Sequence, residues 1–274
     1  MFDITGACMD TQEGAMEWRA RRIQLGGIAI DAVGVSDAVA AVASALQARV
    51  RGYVVTPNVD HVVRARRMPH LRIVYEDAWL SLADGMPLVW ASRLLRRPLP
   101  ERTTGADLLP ALCAMAAAQR YSVFFLGSSG HTAQRAASNL VARFPGLRVA
   151  GVYGSPARFS PDGPAAEAAV AAVAEAGPDL LFVGLGSPKQ ELFVHRHRAR
   201  LACTVAICCG AAVDYAAGVR PRAPRWLQRA GLEWLWRLAH EPRRLWRRYL
   251  VDDMAFLGIV LREWWQEQRG NSRP

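Results

Sequence analysis

From about residue 23, short apolar runs alternate with longer amphipathic stretches. Runs of about four to eight apolar residues bounded by turn formers read as strands, and longer stretches with apolar positions three and four apart read as helices. The pattern predicts strands at 52–56, 79–82, 122–126, 147–152, 179–184 and 203–209. Helices are expected at 36–50, 58–67, 86–95, 106–119, 130–143, 164–176 and 188–200. Several of the strands are apolar throughout, as strands covered on both faces are. This alternation is that of an α/β protein with a Rossmann-like, mostly parallel sheet and flanking helices. Near residue 216 it gives way to Arg- and Trp-rich helical stretches broken by Pro221, Pro224 and Pro242. The expected organisation is a disordered leader at 1–20, an α/β catalytic body at 21–217 and a basic, membrane-associating helical appendage at 218–274.

The appendage changes the picture most. Residues 220–249 contain nine arginines, four tryptophans and two acids. On a continuous helix at about 100° per residue, Arg243, Arg244, Arg247 and Arg248 share an arc of about 140°. Leu245, Trp246, Tyr249 and Leu250 fall on the opposite arc. One face could fork onto phosphates, and the other could enter a lipid interface. A basic helix packed on its own core has the same pattern.

The net charge of the 274 residues is +10, and +6 of it lies in residues 216–274. An anionic partner is expected: lipid head groups, phosphates or nucleic acid. Lys189 is the only lysine against 33 arginines, so clustering of arginine says more than its abundance. The five cysteines are odd in number and form no CxxC pair, which fits reduced thiols in the cytoplasm. The first residues lack the basic start and apolar run of a signal peptide. No apolar run reaches the roughly 18–20 residues of a membrane span. The expected location is cytoplasmic, peripheral on the inner face of the cell membrane.

Candidate chemistry follows the strands, at the edge where open α/β sheets bind ligands. Thr56-Pro57-Asn58 ends one strand, and Asn58 can cap the next helix. Asp84-Gly85 ends another and offers a carboxylate as a general base, with Asp60 and His61 as the alternatives. Arg102 to Asp107 precedes a helix and offers a guanidinium and free amides to an anion. Gly127-Ser128-Ser129-Gly130 and Gly184 to Glu191 are glycine-containing turns after strands. Neither matches a dinucleotide fingerprint nor a phosphate-binding P-loop, which weighs against an oxidoreductase. No recognised nucleic-acid motif accompanies the basic tail, and no nucleic-acid partner is expected. No DxD pair occurs. His195 and His197, two apart, do not share a helix face and make a poor metal pair.

Taken in order, seven segments resemble the bacterial WecG/TagA/CpsF glycosyltransferase family. They are TPN at 56–58, ADGMP at 83–87, RTTGAD at 102–107, FLG at 125–127, GSPKQE at 186–191, GAAVDYAAG at 210–218 and the long run at 222–250. The resemblance implies inverting, metal-independent transfer from a UDP-sugar to a polyprenyl-diphosphate-linked saccharide at the membrane surface. It implies no cofactor. The sugar would be N-acetylmannosamine, its uronic acid or glucose. By the same analogy Asp84 is the general base, and Thr56 and Asn58 orient the substrates. Arg102, Gly105, Asp107, Gly127, Gly186, Lys189, Gln190 and Glu191 are assigned to substrate binding, with Gln190 facing the nucleotide-sugar. Arg220, Arg222, Arg237, Arg243, Arg244, Arg247 and Arg248 are assigned to the lipid diphosphate and the membrane. A homo-oligomer is compatible with the sequence.

Overall fold

The computed structural model describes residues 22–270. The expected leader at 1–20 lies outside the described residues.

A short antiparallel hairpin, β1 (Arg22–Leu25) and β2 (Ile28–Asp31), opens the fold. There follow α1 (Val35–Gln47), β3 (Gly52–Val55), α2 (Val59–Arg67), α3 (Pro69–Glu76), β4 (Leu80–Ser81), α4 (Met86–Leu94) and α5 (Gly105–Gln119). The second half runs β5 (Ser122–Gly127), α6 (Gly130–Arg143), β6 (Arg148–Tyr153), α7 (Pro164–Ala176), β7 (Leu180–Gly184), α8 (Lys189–His197), β8 (Val205–Cys208) and α9 (Ala212–Ala216). Six strands form one sheet in the order β4-β3-β8-β7-β5-β6, and every pair is parallel. Two apolar clusters pack on the sheet, one holding Val55, Leu126 and Val183, the other Val54, Phe125 and Phe182. Alternate residues of each strand thus serve opposite layers, which is why these strands read as unbroken apolar runs.

The hairpin and α3 were not among the expected elements. Asp31 locks the hairpin onto the sheet. It is buried, accepts from Arg22 at 2.7 and 2.8 Å, and accepts the Ser81 amide at 2.7 Å.

The C-terminal stretch is a series of short helices, as the prolines predict, but residues 243–250 do not form one continuous helix. It forms α10 (Arg225–Arg229), α11 (Glu233–His240), α12 (Pro242–Arg247), a π-helical turn at Arg248–Asp252 and α13 (Ala255–Gly270). The stripe expected over 243–250 is therefore broken. Leu245 is buried and Tyr249 half-buried, while Trp246 and Leu250 stay exposed. α13 lies on the body, and its Phe256, Ile259 and Val260 join the apolar cluster that contains Leu25, Ile28 and Val62. Glu263 accepts the Gly26 amide at 3.0 Å. None of the described helices is long and apolar enough to cross a membrane.

Candidate active site

Because the sheet is parallel, the carboxyl ends of its strands gather on one edge. The turns after β3 and β4 are stitched together there. The Asp84 amide donates to the Pro57 carbonyl at 2.8 Å, and the Thr103 amide donates to the Ala83 carbonyl at 2.7 Å. These bonds bring Asn58, Asp84 and Arg102 to one wall. The opposite wall comes from the C-terminal helices. Between them lies a cavity of about 620 Å³.

Its polar side carries Asn58, Asp84, Arg102, Glu233, Arg237 and Arg248. Asp84 is half-buried, and burial raises its carboxyl above the ordinary range, a rise that Arg237, His61 and Arg102 partly oppose. Glu233 contacts Arg102 at 3.5 Å and Arg237 at 2.8 Å. Burial alone would lower the Arg237 guanidinium, but Tyr215, Asp84 and Glu233 outweigh it and hold it above its usual value. Asp253 also faces the cavity, and burial pushes its carboxyl up to about 6 despite Arg248.

The other side of the cavity is apolar, with Met86, Trp90, Leu94, Met254, Leu257 and Leu261. Several of these stay open to solvent at the rim. Trp90 and Leu94 are 46% and 49% exposed, and Met254, Leu257 and Leu261 are 53%, 54% and 52% exposed. Leu250, Met254, Leu257, Leu261 and Trp265 recur at helical spacing along the end of the chain, all exposed. A carboxylate and guanidiniums at one end of a cavity, and an exposed apolar rim at the other, suit a ligand with a charged head and a hydrocarbon tail.

The family model for the glycosyl transferase WecG/TagA/CpsF family matches residues 23–270. The chain belongs to this family. It is a glycosyltransferase. Three relatives carry the name N-acetylglucosaminyldiphosphoundecaprenol N-acetyl-beta-D-mannosaminyltransferase. One, from Bacillus spizizenii, is 34% identical over 81% of this chain and 82% of its own. Another, from Bacillus subtilis, is 33% identical over 66% and 68%, and one from Staphylococcus aureus is 28% identical over 71% and 74%.

The residues singled out from sequence divide into groups. Asn58, Asp84 and Arg102 meet in the cavity. Thr56 does not line it; it is buried, and its hydroxyl donates to the Cys208 carbonyl at 3.1 Å. Asp107 stands behind Arg102, accepting from it at 3.3 Å and from the Thr104 hydroxyl at 2.8 Å. Gln190 and Glu191 are buried at the start of α8 and lie outside the cavity lining. Gln190 accepts the Gly210 amide at 3.1 Å and donates to Glu191 at 2.8 Å. Lys189, the first residue of α8, is half-buried, and Gly186 in the turn before it is exposed.

Gly105 and Gly127 are needed for close backbone approach. A Cβ on Gly105 would come 2.6 Å from the Cys209 carbonyl oxygen. One on Gly127, whose φ is +112°, would come 2.5 Å from the Gly184 carbonyl carbon. Gly127→Ala is expected to destabilise by about 1–3 kcal/mol, or roughly 2–4 °C in unfolding midpoint per kcal/mol. Gly186→Ala meets nothing within 4 Å, so only the strain of its φ of +74° opposes it and it should cost less. Thermal unfolding of the two variants checks this.

The seven arginines assigned to lipid also divide. Arg220 pairs with Asp214 at 3.2 Å and Glu241 at 3.0 Å, and Arg222 pairs with Asp107. Arg237 faces the cavity, with Tyr215 beneath it at 5.6 Å. Arg248 reaches Asn58 at 3.2 Å and Asp60 at 3.4 Å. Only Arg243, Arg244 and Arg247 of the seven are exposed, and Arg244 pairs with Glu241. Asp60, an alternative base, is held by Arg64 at 2.9 Å.

Sequence reasoning missed Glu233, Gln228, Tyr249 and Asp253 in the cavity. For Glu233 a signal existed. It is one of two acids in a strongly basic run, and both acids pair with arginines.

Proposed function

We propose that this chain is an inverting glycosyltransferase that moves N-acetylmannosamine from its UDP-sugar to a polyprenyl-diphosphate-linked N-acetylglucosamine. The relatives' shared name supports the sugars. The observation that carries the reading is the two-ended cavity: Asp84, Arg102 and Arg237 at one end, an exposed apolar rim at the other. In this mechanism Asp84 takes the proton of the acceptor hydroxyl. The oxygen attacks the anomeric carbon from the face opposite UDP, and UDP departs with the bonding electrons. Its developing charge is met by guanidiniums and by amides of the strand-end turns. The rim and the exposed arginines favour work at an anionic membrane surface. Incubating the protein with a panel of UDP-sugars and a lipid-diphosphate N-acetylglucosamine acceptor tests the class and the donor together. Transfer from UDP-N-acetylmannosamine is expected; transfer from none of the panel would sink the reading.

In this reading the cavity's guanidiniums meet the leaving diphosphate in place of a divalent ion, which the lining arginines and the lack of a DxD pair support. EDTA is expected to leave the initial rate unchanged. A large loss that Mg²⁺ or Mn²⁺ restores would overturn this.

A further inference from the structure

The cavity carries as many acids as arginines. Among the described residues that line it, Arg102, Arg237 and Arg248 are matched by Asp84, Glu233 and Asp253. A diphosphate, which brings more than one negative charge, thus enters a site whose guanidiniums are already taken. Glu233 holds two of them. Its Oε1 lies 2.8 Å from Arg237 and its Oε2 lies 3.5 Å from Arg102, one oxygen to each guanidinium. Carboxylate and phosphate oxygens accept guanidinium N–H groups in the same forked geometry, so Glu233 sits where a phosphate could.

A carboxylate so placed can hold the arginines ready, or it can occupy them until a ligand arrives. The supports around the two arginines decide between these roles. Arg102 is oriented without Glu233, because it donates to Asp107 at 3.3 Å and to Gln228 at 3.1 Å. Asp107 is fixed in turn by Arg222 and by the Thr104 hydroxyl at 2.8 Å. Arg237 lies over the Tyr215 ring at 5.6 Å, and Asp84 stabilises its charge as Glu233 does. The 3.5 Å contact with Arg102 is long for a hydrogen bond between charged groups. Glu233 is also the first residue of α11, so its carboxylate stays beside a favourable helix N-terminus when the side chain swings. Left in place, it would face the phosphate oxygens as a like charge, in a recess where water screens poorly.

We infer that Glu233 is a stand-in anion: it occupies the Arg102–Arg237 pair in the empty site, and an incoming diphosphate displaces it. Affinity for diphosphates is thereby held down, and UDP leaves more readily than it would from two free guanidiniums. The same carboxylate disfavours singly charged anions, because a ligand gains only by bringing more charge than it displaces. Glu233 is in this sense a specificity-determining residue. That UDP is the diphosphate rests on the transferase reading. The diphosphate of a prenyl-linked acceptor has the same chemistry, and the test separates the two.

Calorimetry with UDP and with a short-chain prenyl diphosphate reads the seat and needs no sugar transfer. Glu233→Gln keeps the length of the side chain and removes its charge. It should bind at least one of the two ligands about tenfold more tightly than the parent, the scale of one charge-assisted hydrogen bond no longer contested. A gain for UDP alone puts the donor's diphosphate on these arginines, a gain for the prenyl diphosphate alone puts the acceptor's there, and a gain for both opens the seat to either. Glu241→Gln is the control. Glu241 is the other acid of the basic run, pairs with Arg220 and Arg244, and does not line the cavity. Removing its charge should change both affinities by less than about twofold, because solvent screens charges outside the cavity. Affinities in Glu233→Gln that equal the parent's or fall below them for both ligands would overturn the inference, and a gain of the same size in Glu241→Gln would do so too. Should Glu233→Gln not fold, Glu233→Ala carries the same expectation. In the transfer assay, a seat for UDP predicts that UDP inhibits Glu233→Gln at about tenfold lower concentration than the parent. A parent that transfers no sugar would sink the transferase reading and leave the calorimetric arm standing.

Discussion

Asp84→Asn is expected to lower kcat by about 10²–10⁴-fold while UDP-sugar still binds and the fold persists. That range is the usual loss when a general base is removed. Asparagine keeps the size of the side chain but cannot take up the proton as a carboxylate does. Asp84 is the carboxylate that closes β4 at the cavity, beside Asn58 and Arg102. Glu233 is paired with two arginines and Asp60 with Arg64 and Arg248, so neither is as free to take its place. The pH profile carries a second mark. Burial raises the Asp84 carboxyl, and a base works only when ionised. Activity should be full above that raised value and fall as pH drops through it, at a pH above the ordinary aspartate range. Single-turnover rates with UDP-sugar and acceptor, alongside calorimetric UDP binding, check both statements. A variant with more than half the parent's rate would move the base to another residue.

Leu250, Leu257 and Leu261 changed together to serine should cut vesicle binding on the order of 100-fold. Each leucine is about half exposed, leaving roughly 1 kcal/mol apiece to be gained by burial in lipid, and about 1.4 kcal/mol is tenfold. The long-chain acceptor should suffer and a short-chain, water-soluble one should not, because the polar end of the cavity is untouched. The arginines form a separate arm. Arg243, Arg244 and Arg247 changed together to Glu should also weaken binding to anionic vesicles, at about 1 kcal/mol per arginine near such a surface. Arg248 is left out because it holds Asn58 and Asp60. The arms differ in salt response: the arginine variant should be less salt-sensitive than the parent, and the leucine variant should keep the parent's sensitivity. Flotation with anionic vesicles at two salt concentrations reads both. Parent-like flotation by both variants would leave these side chains as ordinary surface.

The inner strands β3, β5, β7 and β8 were legible because strands covered on both faces are apolar at nearly every position. Their ends were legible because a strand stops where polar and glycine residues begin, and a parallel sheet puts all those ends on one edge. On that edge Asn58, Asp84 and Arg102 line one cavity. The β1–β2 hairpin was missed because its strands, RIQL and IAID, interrupt or end their apolar residues with polar ones and offer no long apolar run. Tertiary structure alone decided the rest. A helical wheel assumes one continuous helix, and the π-helical turn at 248–252 breaks that assumption. It turns Arg248 inward, 190 residues along the chain from its partner Asn58. Glu233 meets Arg102 across 131 residues, and His61 meets Glu191 across 130. Local pattern reports which way a side chain faces within its own element. It carries no information about which distant charge waits there, because that depends on how the elements pack.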